Sequence, residues 1–145
     1  MLSSQPMNIN KIWNMLKISG DGTVFETGMV DGLPEPAARY FIHSIVPGTR
    51  IAGSAELAMH GEFSTDPNQP ARPITAHQRI SIPDGFVWKA KLGSGLVQVL
   101  GYDLYYRGTG SQKFSLWGLF PIVSASGPDI DLSAAGRTAI ESIFI

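Results

Sequence analysis

The chain has 145 residues, of which 43% are hydrophobic and 16% are charged, and its formal net charge is −1. This length predicts a single domain over residues 1–145, large enough to bury a core. The 11 basic residues are scattered and form no cluster for a phosphate backbone, so nucleic acid is not an expected partner. The sequence contains no cysteine, which excludes disulfides, thiolate nucleophiles and Cys-based zinc sites.

Residues 8–46 are predicted to form a helical N-terminal segment. Apolar residues at helical spacing indicate a first helix, with Asn8 or Asn10 as a candidate cap and Gly20 as its end. A second helix is predicted to begin near Pro34, because proline is tolerated in the first turn. The second helix is expected to bury one stripe of side chains: Leu33, Ala37, Tyr40 and Phe41.

Residues 50–124 are predicted to form an antiparallel sheet. From Ile74 to Tyr106, apolar and polar residues alternate between turn signals, which is typical of strands with one buried face. Short turns that contain glycine make neighbouring strands hairpin-connected. The strands are expected at 50–63, 73–82, 86–92, 96–107 and 113–124.

Residues 131–145 are predicted to form a C-terminal helix capped by Asp131. Its apolar side chains share one stripe, which should face the core: Leu132, Ala135, Ala139, Ile140 and Ile143. The expected fold class is α+β, with a curved, half-barrel-like antiparallel sheet of five to six strands. The N-terminal helices and the C-terminal helix flank this sheet.

No segment has the features of a signal peptide or the roughly 18 consecutive apolar residues of a membrane-spanning helix. A cytoplasmic location is therefore expected. The three histidines, at positions 43, 60 and 77, lack the local spacing of a metal motif and are interpreted as polar-face residues. No cofactor or metal site is predicted.

Asp103 lies in a strand of bulky residues, and a buried carboxylate is costly unless it is paired. It is interpreted as the partner of Arg107, Arg79 or Arg137, and the alternative is a pocket carboxylate with a raised pKa. Arg137 and Glu141 are four residues apart on the last predicted helix, where side chains meet.

Four segments resemble a bacterial domain-of-unknown-function family: LPEPAARYF, ITAHQRISIPDGFVWKAKL, GYDLYYRGTG and LWGLFPIVSASGPDIDLS with the following Arg and Glu. Family members carry LP-x-P-x-RY, PGF-x-W-x-A and D-x-Y-x-G-x-G segments and usually continue into a second β-rich half. The resemblance therefore implies an unpaired edge or an uncovered face, and a homo-oligomer. The matching positions are Gln78, Phe86, Trp88, Asp103, Tyr106, Gly108, Gly110, Pro121, Arg137 and Glu141.

The leading hypothesis is a non-enzymatic protein that binds a small apolar ligand or a partner chain on the concave face of the sheet. The candidate ligand-binding residues are Arg79, Phe86, Trp88, Asp103 and Tyr106. One alternative is a small hydrolase or isomerase that uses Asp103 or a histidine as a general base. Another is a truncated assembly module, whose hydrophobic interface would include Ile140, Ile143 and Phe144.

Overall fold

The computed structural model describes residues 8–64 and 66–145, and it confirms an α+β fold with a curved sheet that does not close into a barrel. The six strands are antiparallel and follow one another in chain order across the sheet. The strands are β1 (Ala55–Phe63), β2 (Arg72–Ser81), β3 (Gly85–Ser94), β4 (Val97–Tyr106), β5 (Thr109–Leu116) and β6 (Phe120–Ser126). The α-helices are α1 (Ile9–Met15), α2 (Glu35–Ser44) and α3 (Pro128–Glu141), and 3-10 turns span Thr27–Val30 and Ser142–Phe144.

The segment predicted as one strand over 113–124 is instead a hairpin, and that prediction was wrong. Strand β5 ends at Leu116, and β6 begins after the turn Trp117-Gly118-Leu119. Both Trp117 (φ 53°) and Gly118 (φ 74°) have left-handed backbone conformations, which suit a tight hairpin turn. The tryptophan is an uncommon residue there, so the turn signal was weak.

Helix α1 covers part of one face of the sheet. The side chain of Asn8 caps it by accepting hydrogen bonds from two backbone N–H groups. Ile12 and Leu16 are buried against Val87 and Leu104 of the sheet. We call this side of the sheet the α1 face.

Helix α3 covers part of the opposite face, which we call the α3 face. It begins at Pro128 rather than at Asp131, and the Asp131 carboxylate accepts a hydrogen bond from the backbone N–H of Gly110 at 2.6 Å. Glycine at position 110 allows this close contact between β5 and α3, because a β-carbon there would lie 2.8 Å from the carbonyl oxygen of Ile130.

The predicted buried stripe of α3 was wrong. Leu132 and Ile140 are 76% and 74% exposed, and Ile143 is 54% exposed, whereas Ala134 and Thr138 are buried. The helix turns its polar residues toward the sheet because polar side chains of the sheet require partners there. The side chain of Phe144 lies outside the described part of the chain.

The predicted buried stripe of α2 was also wrong. None of its residues is buried, and Tyr40 is 51% exposed. Helix α2 packs mainly on the 3-10 turn Thr27–Val30 and does not lie on the sheet. Its apolar residues therefore have no sheet surface to cover.

Candidate functional site

The α3 face carries a large groove beside α3. The groove has a volume of about 960 Å³, within the range of small-molecule sites. Its walls include the β1–β2 loop on one side and β6 on the other. The lining residues are Phe63, Ser64, Gln69, Pro70, Ala71, Arg72, Ile74, Trp88, Leu92, Val97, Val99, Gln112, Phe114, Leu116, Ile122 and Val123.

Small residues occupy the centre of the sheet next to the groove. Ala76, Ala90 and Gly101 lie side by side on β2, β3 and β4 and point to the α3 face. The ring of Phe114 lies over Gly101, where a β-carbon would collide with it. The centres of the Trp88 and Phe114 rings are 6.3 Å apart, and both residues line the groove.

A polar cluster lies beneath α3, next to the groove. Arg137 donates hydrogen bonds to Asp103 at 2.7 Å, to Glu141 at 2.8 Å and to the side-chain oxygen of Gln78 at 3.3 Å. The Gln78 amide in turn donates to Glu141. The guanidinium also lies 4.4 Å from the centre of the Phe86 ring, so one arginine joins the helix to three strands.

The cluster contains two carboxylates and one cation, and this imbalance affects Asp103. Burial raises the pKa of Asp103, the Arg137 charge lowers it, and the nearby Glu141 charge raises it; burial has the largest effect and the net direction is upward. A cavity of about 110 Å³ adjoins the Asp103 carboxylate and is lined by Gln112, Ser133 and Arg137 among others. Gln112 also lines the groove, so the two spaces are neighbours.

We expect a carbon-detected NMR titration to find the pKa of Asp103 above its ordinary value. Glu141→Gln should lower that pKa, because it removes a negative charge and frees Arg137 to interact more strongly with Asp103. The control is Glu35→Gln, which removes an exposed carboxylate on α2 and should leave the pKa of Asp103 unchanged. An unchanged pKa in Glu141→Gln would contradict the assigned coupling.

The structure does not bring the five predicted ligand-binding residues together. Phe86, Trp88 and Asp103 lie on the α3 face, whereas Arg79 and Tyr106 lie on the α1 face. Of these five, only Trp88 lines the groove. Phe86 is fully buried and Asp103 is paired with Arg137, so both lie beneath α3 rather than in the groove.

Arg79 attaches α1 to the sheet. It donates to Glu56 at 2.6 Å and to the backbone oxygen of Trp13 at 2.8 Å, and its guanidinium lies 4.6 Å from the centre of the Trp13 ring. The hydrogen bond from Arg79 lowers the pKa of Glu56. Tyr106 packs against the buried residues between α1 and the sheet. Its buried hydroxyl has no hydrogen-bond partner among the described residues.

Sequence reasoning missed most of the groove. Leu92 and Val99 face each other across β3 and β4, on the same side of the sheet as Trp88. The alternation in β3 predicted that Leu92 lies on the same face as Trp88. The residue of β4 opposite Leu92 could not be predicted in this way, because it depends on the strand register that the turns set. Arg72 was missed because it adjoins a loop rather than an apolar run.

His60 and His77 both lie on the α1 face, as the alternation predicted, away from the groove and from Asp103. Within residues 8–64 and 66–145, no three histidine or carboxylate side chains form a group suited to a metal ion.

The fold and the site together define a class of α+β protein. Its sheet is an antiparallel six-stranded meander, partly covered on one face by α1 and on the other by α3, and the α3 face carries an apolar groove. The chain belongs to DUF6544, a family of unknown function, whose model matches residues 23–145. Comparison with curated proteins and with solved structures found no match. No helix in the described ranges is long and apolar enough to cross a membrane.

Proposed function

We propose that this protein is a non-enzymatic binding protein that holds a small apolar ligand in the groove of the α3 face. The observation that carries the proposal is the groove itself, which has a volume of about 960 Å³ and mostly apolar walls. Concave apolar sites with few polar groups are where proteins bind small molecules. Every 100 Å² of apolar surface removed from water would contribute about 2.5 kcal/mol before the cost of association.

The shape of the groove favours a small molecule over a partner chain, the second occupant that the sequence suggests. The β1–β2 loop, with Gln69, Pro70 and Ala71, and strand β6, with Ile122 and Val123, wall the groove on opposite sides. Trp88 and Phe114 provide rigid aromatic surface at its inner end. A partner chain would have to enter between these walls, whereas a small ligand fits without displacing them.

The alternative of a hydrolase or isomerase has less support. Asp103 is hydrogen-bonded to Arg137 beneath α3, and His60 and His77 lie on the opposite face. A general base must be able to reach the substrate proton. In this arrangement the sheet separates His60 and His77 from the groove, and Asp103 is held by Arg137.

Binding can be measured with the neutral fluorescent probe N-phenyl-1-naphthylamine. Val99→Trp should reduce the affinity at least tenfold, because the larger ring projects into the groove from β4. The matched control is Leu100→Trp, which places the same ring one residue away on the opposite face and should bind the probe normally. Circular dichroism checks that both variants are folded.

The tryptophans provide a second readout in the unmodified protein. The indole N–H resonance of Trp88 should shift when the probe binds, whereas that of Trp13, on the α1 face, should not. Equal shifts at both residues, or equal binding by the two tryptophan variants, would contradict the proposed site.

The homo-oligomeric state and the cytoplasmic location stay predictions. An oligomer would have surfaces available at the edge strand β6 and on the outer side of α3, where Leu132, Ile140 and Ile143 are exposed. Native mass spectrometry would determine the oligomeric state and detect any bound small molecule.

A further inference from the structure

Among the described residues that line the groove, Arg72 is the only charged one. It is the first residue of β2 and pairs with Phe63, the last residue of the edge strand β1. Arg72 lies on the same face of the sheet as Ile74. This position is at the end of the groove remote from α3. Arg72 is exposed there, so a group bound to it would remain in contact with water.

The guanidinium of Arg72 has no carboxylate partner among the described residues. Four other arginines, at positions 39, 79, 107 and 137, each form an ion pair with an aspartate or glutamate. The acidic residue of the adjacent loop, Asp66, accepts hydrogen bonds from Asn68 within that loop. Arg72 therefore presents an uncompensated positive charge at the end of an apolar groove.

We propose that the ligand of the groove is a single-chain amphiphile with one negative charge, whose anionic head binds Arg72. This inference rests on the proposed function and specifies the class of ligand. Arginine presents a planar fork that fits a carboxylate, and one cation balances one negative charge. The apolar chain would extend from Arg72 along the sheet toward Trp88 and Phe114.

The dimensions of the groove suit such a chain. Arg72 is six positions from Gln78 on β2, and Gln78 lies in the same cross-strand row as Trp88 and Gln112. Six residues of strand span about 20 Å. A long aliphatic chain can occupy this length, with its head at the exposed end and its tail at the rings of Trp88 and Phe114.

The test compares cis-parinarate, a fluorescent long-chain carboxylate, with its uncharged methyl ester. The unmodified protein should bind the acid about five- to tenfold more tightly than the ester, since the ion pair is partly exposed. Arg72→Gln should abolish this preference by weakening binding of the acid while leaving binding of the ester unchanged. Arg50→Gln, which removes an exposed arginine that does not line the groove, should retain the preference.

A second measurement uses the unmodified protein alone. Binding of the acid should weaken as sodium chloride is raised, and binding of the ester should not, because salt screens an exposed ion pair. If Arg72→Gln retains the preference, or if salt affects both probes equally, the proposal for Arg72 is wrong. In that case binding of the ester, and its loss in Val99→Trp, would still support the groove. If neither probe nor N-phenyl-1-naphthylamine binds, both proposals fail.

Discussion

Phe86→Ala is expected to destabilise the protein by about 3–5 kcal/mol, as is typical for a buried phenylalanine. Phe86 is fully buried on the α3 face, where it packs with Ile80 and Ala134. The substitution would leave a cavity in this cluster and would also remove the ring on which Arg137 lies. Urea unfolding, followed by circular dichroism, would measure the loss of unfolding free energy.

The matched control is Phe120→Ala on the edge strand β6. Phe120 is 59% exposed, so the same substitution should change the unfolding free energy by less than about 1 kcal/mol. The pair also distinguishes a core role of Phe86 from the ligand-binding role that the sequence suggested. A Phe86→Ala protein of normal stability that no longer binds N-phenyl-1-naphthylamine would support the ligand-binding role and contradict the core role.

Arg137→Met is expected to reduce the unfolding free energy by about 2–3 kcal/mol near pH 7. Methionine retains apolar contact with Phe86 but leaves the carboxylates of Asp103 and Glu141 without their cation. Loss of one partner of a buried ion pair costs about 3–5 kcal/mol, and the partial exposure of these groups reduces the effect. The control is Arg39→Met on α2, whose ion pair with Glu35 is exposed and should contribute less than about 1 kcal/mol.

The effect of Arg137→Met should depend on pH. The pKa of Asp103 is raised in the folded protein, so the folded state binds this proton more tightly than the unfolded state. The contribution of Asp103 to stability is therefore greatest at low pH and is lost as the pH rises through the raised pKa. Removing Arg137 raises that pKa further, so the deficit of the variant should shrink as the pH falls from about 7 to about 5. A deficit independent of pH would contradict the assigned role of Arg137.

The sheet was largely predictable because the alternation is strong and most of its turns contain glycine. The pattern around Phe86 and Trp88 correctly separates one face of β3 from the other. The hairpin at Trp117 was missed because neither an aromatic residue nor a single glycine indicates a turn strongly. Propensity could not show that a bulky residue there adopts a positive φ.

The orientation of α3 was not predictable from its own sequence. Helical periodicity directs the apolar residues, including Leu132 and Ile140, toward the core. The sheet, however, presents Gln78 and Asp103 to this helix, and these groups need the hydrogen bonds that Arg137 and Glu141 supply. Which face of α3 meets the sheet depends on the side chains that the sheet presents to the helix. The periodicity of the helix carries no information about those side chains.

The polar cluster was anticipated in part, and the groove hardly at all. Arg137 was one of three proposed partners of Asp103, and the structure selects it. Arg79 and Tyr106 were grouped with Trp88 although strand parity places them on the other face. The groove is lined by residues from all six strands and from the β1–β2 loop, and a set of positions so spread along the chain produces no local sequence pattern.

The polar attachment of α3 has a consequence for the dynamics of the fold. The side of the helix that meets the sheet carries Arg137 and Glu141 with only small apolar contacts such as Ala134, whereas Leu132 and Ile140 already face water. Lifting α3 from the sheet would break these polar contacts and would also uncover Phe86 and Ile80, which are fully buried in one cluster with Ala134. Both losses raise the free energy of opening this segment toward that of global unfolding. We therefore expect α3 to open together with the core that it covers rather than as a separate cooperative unit.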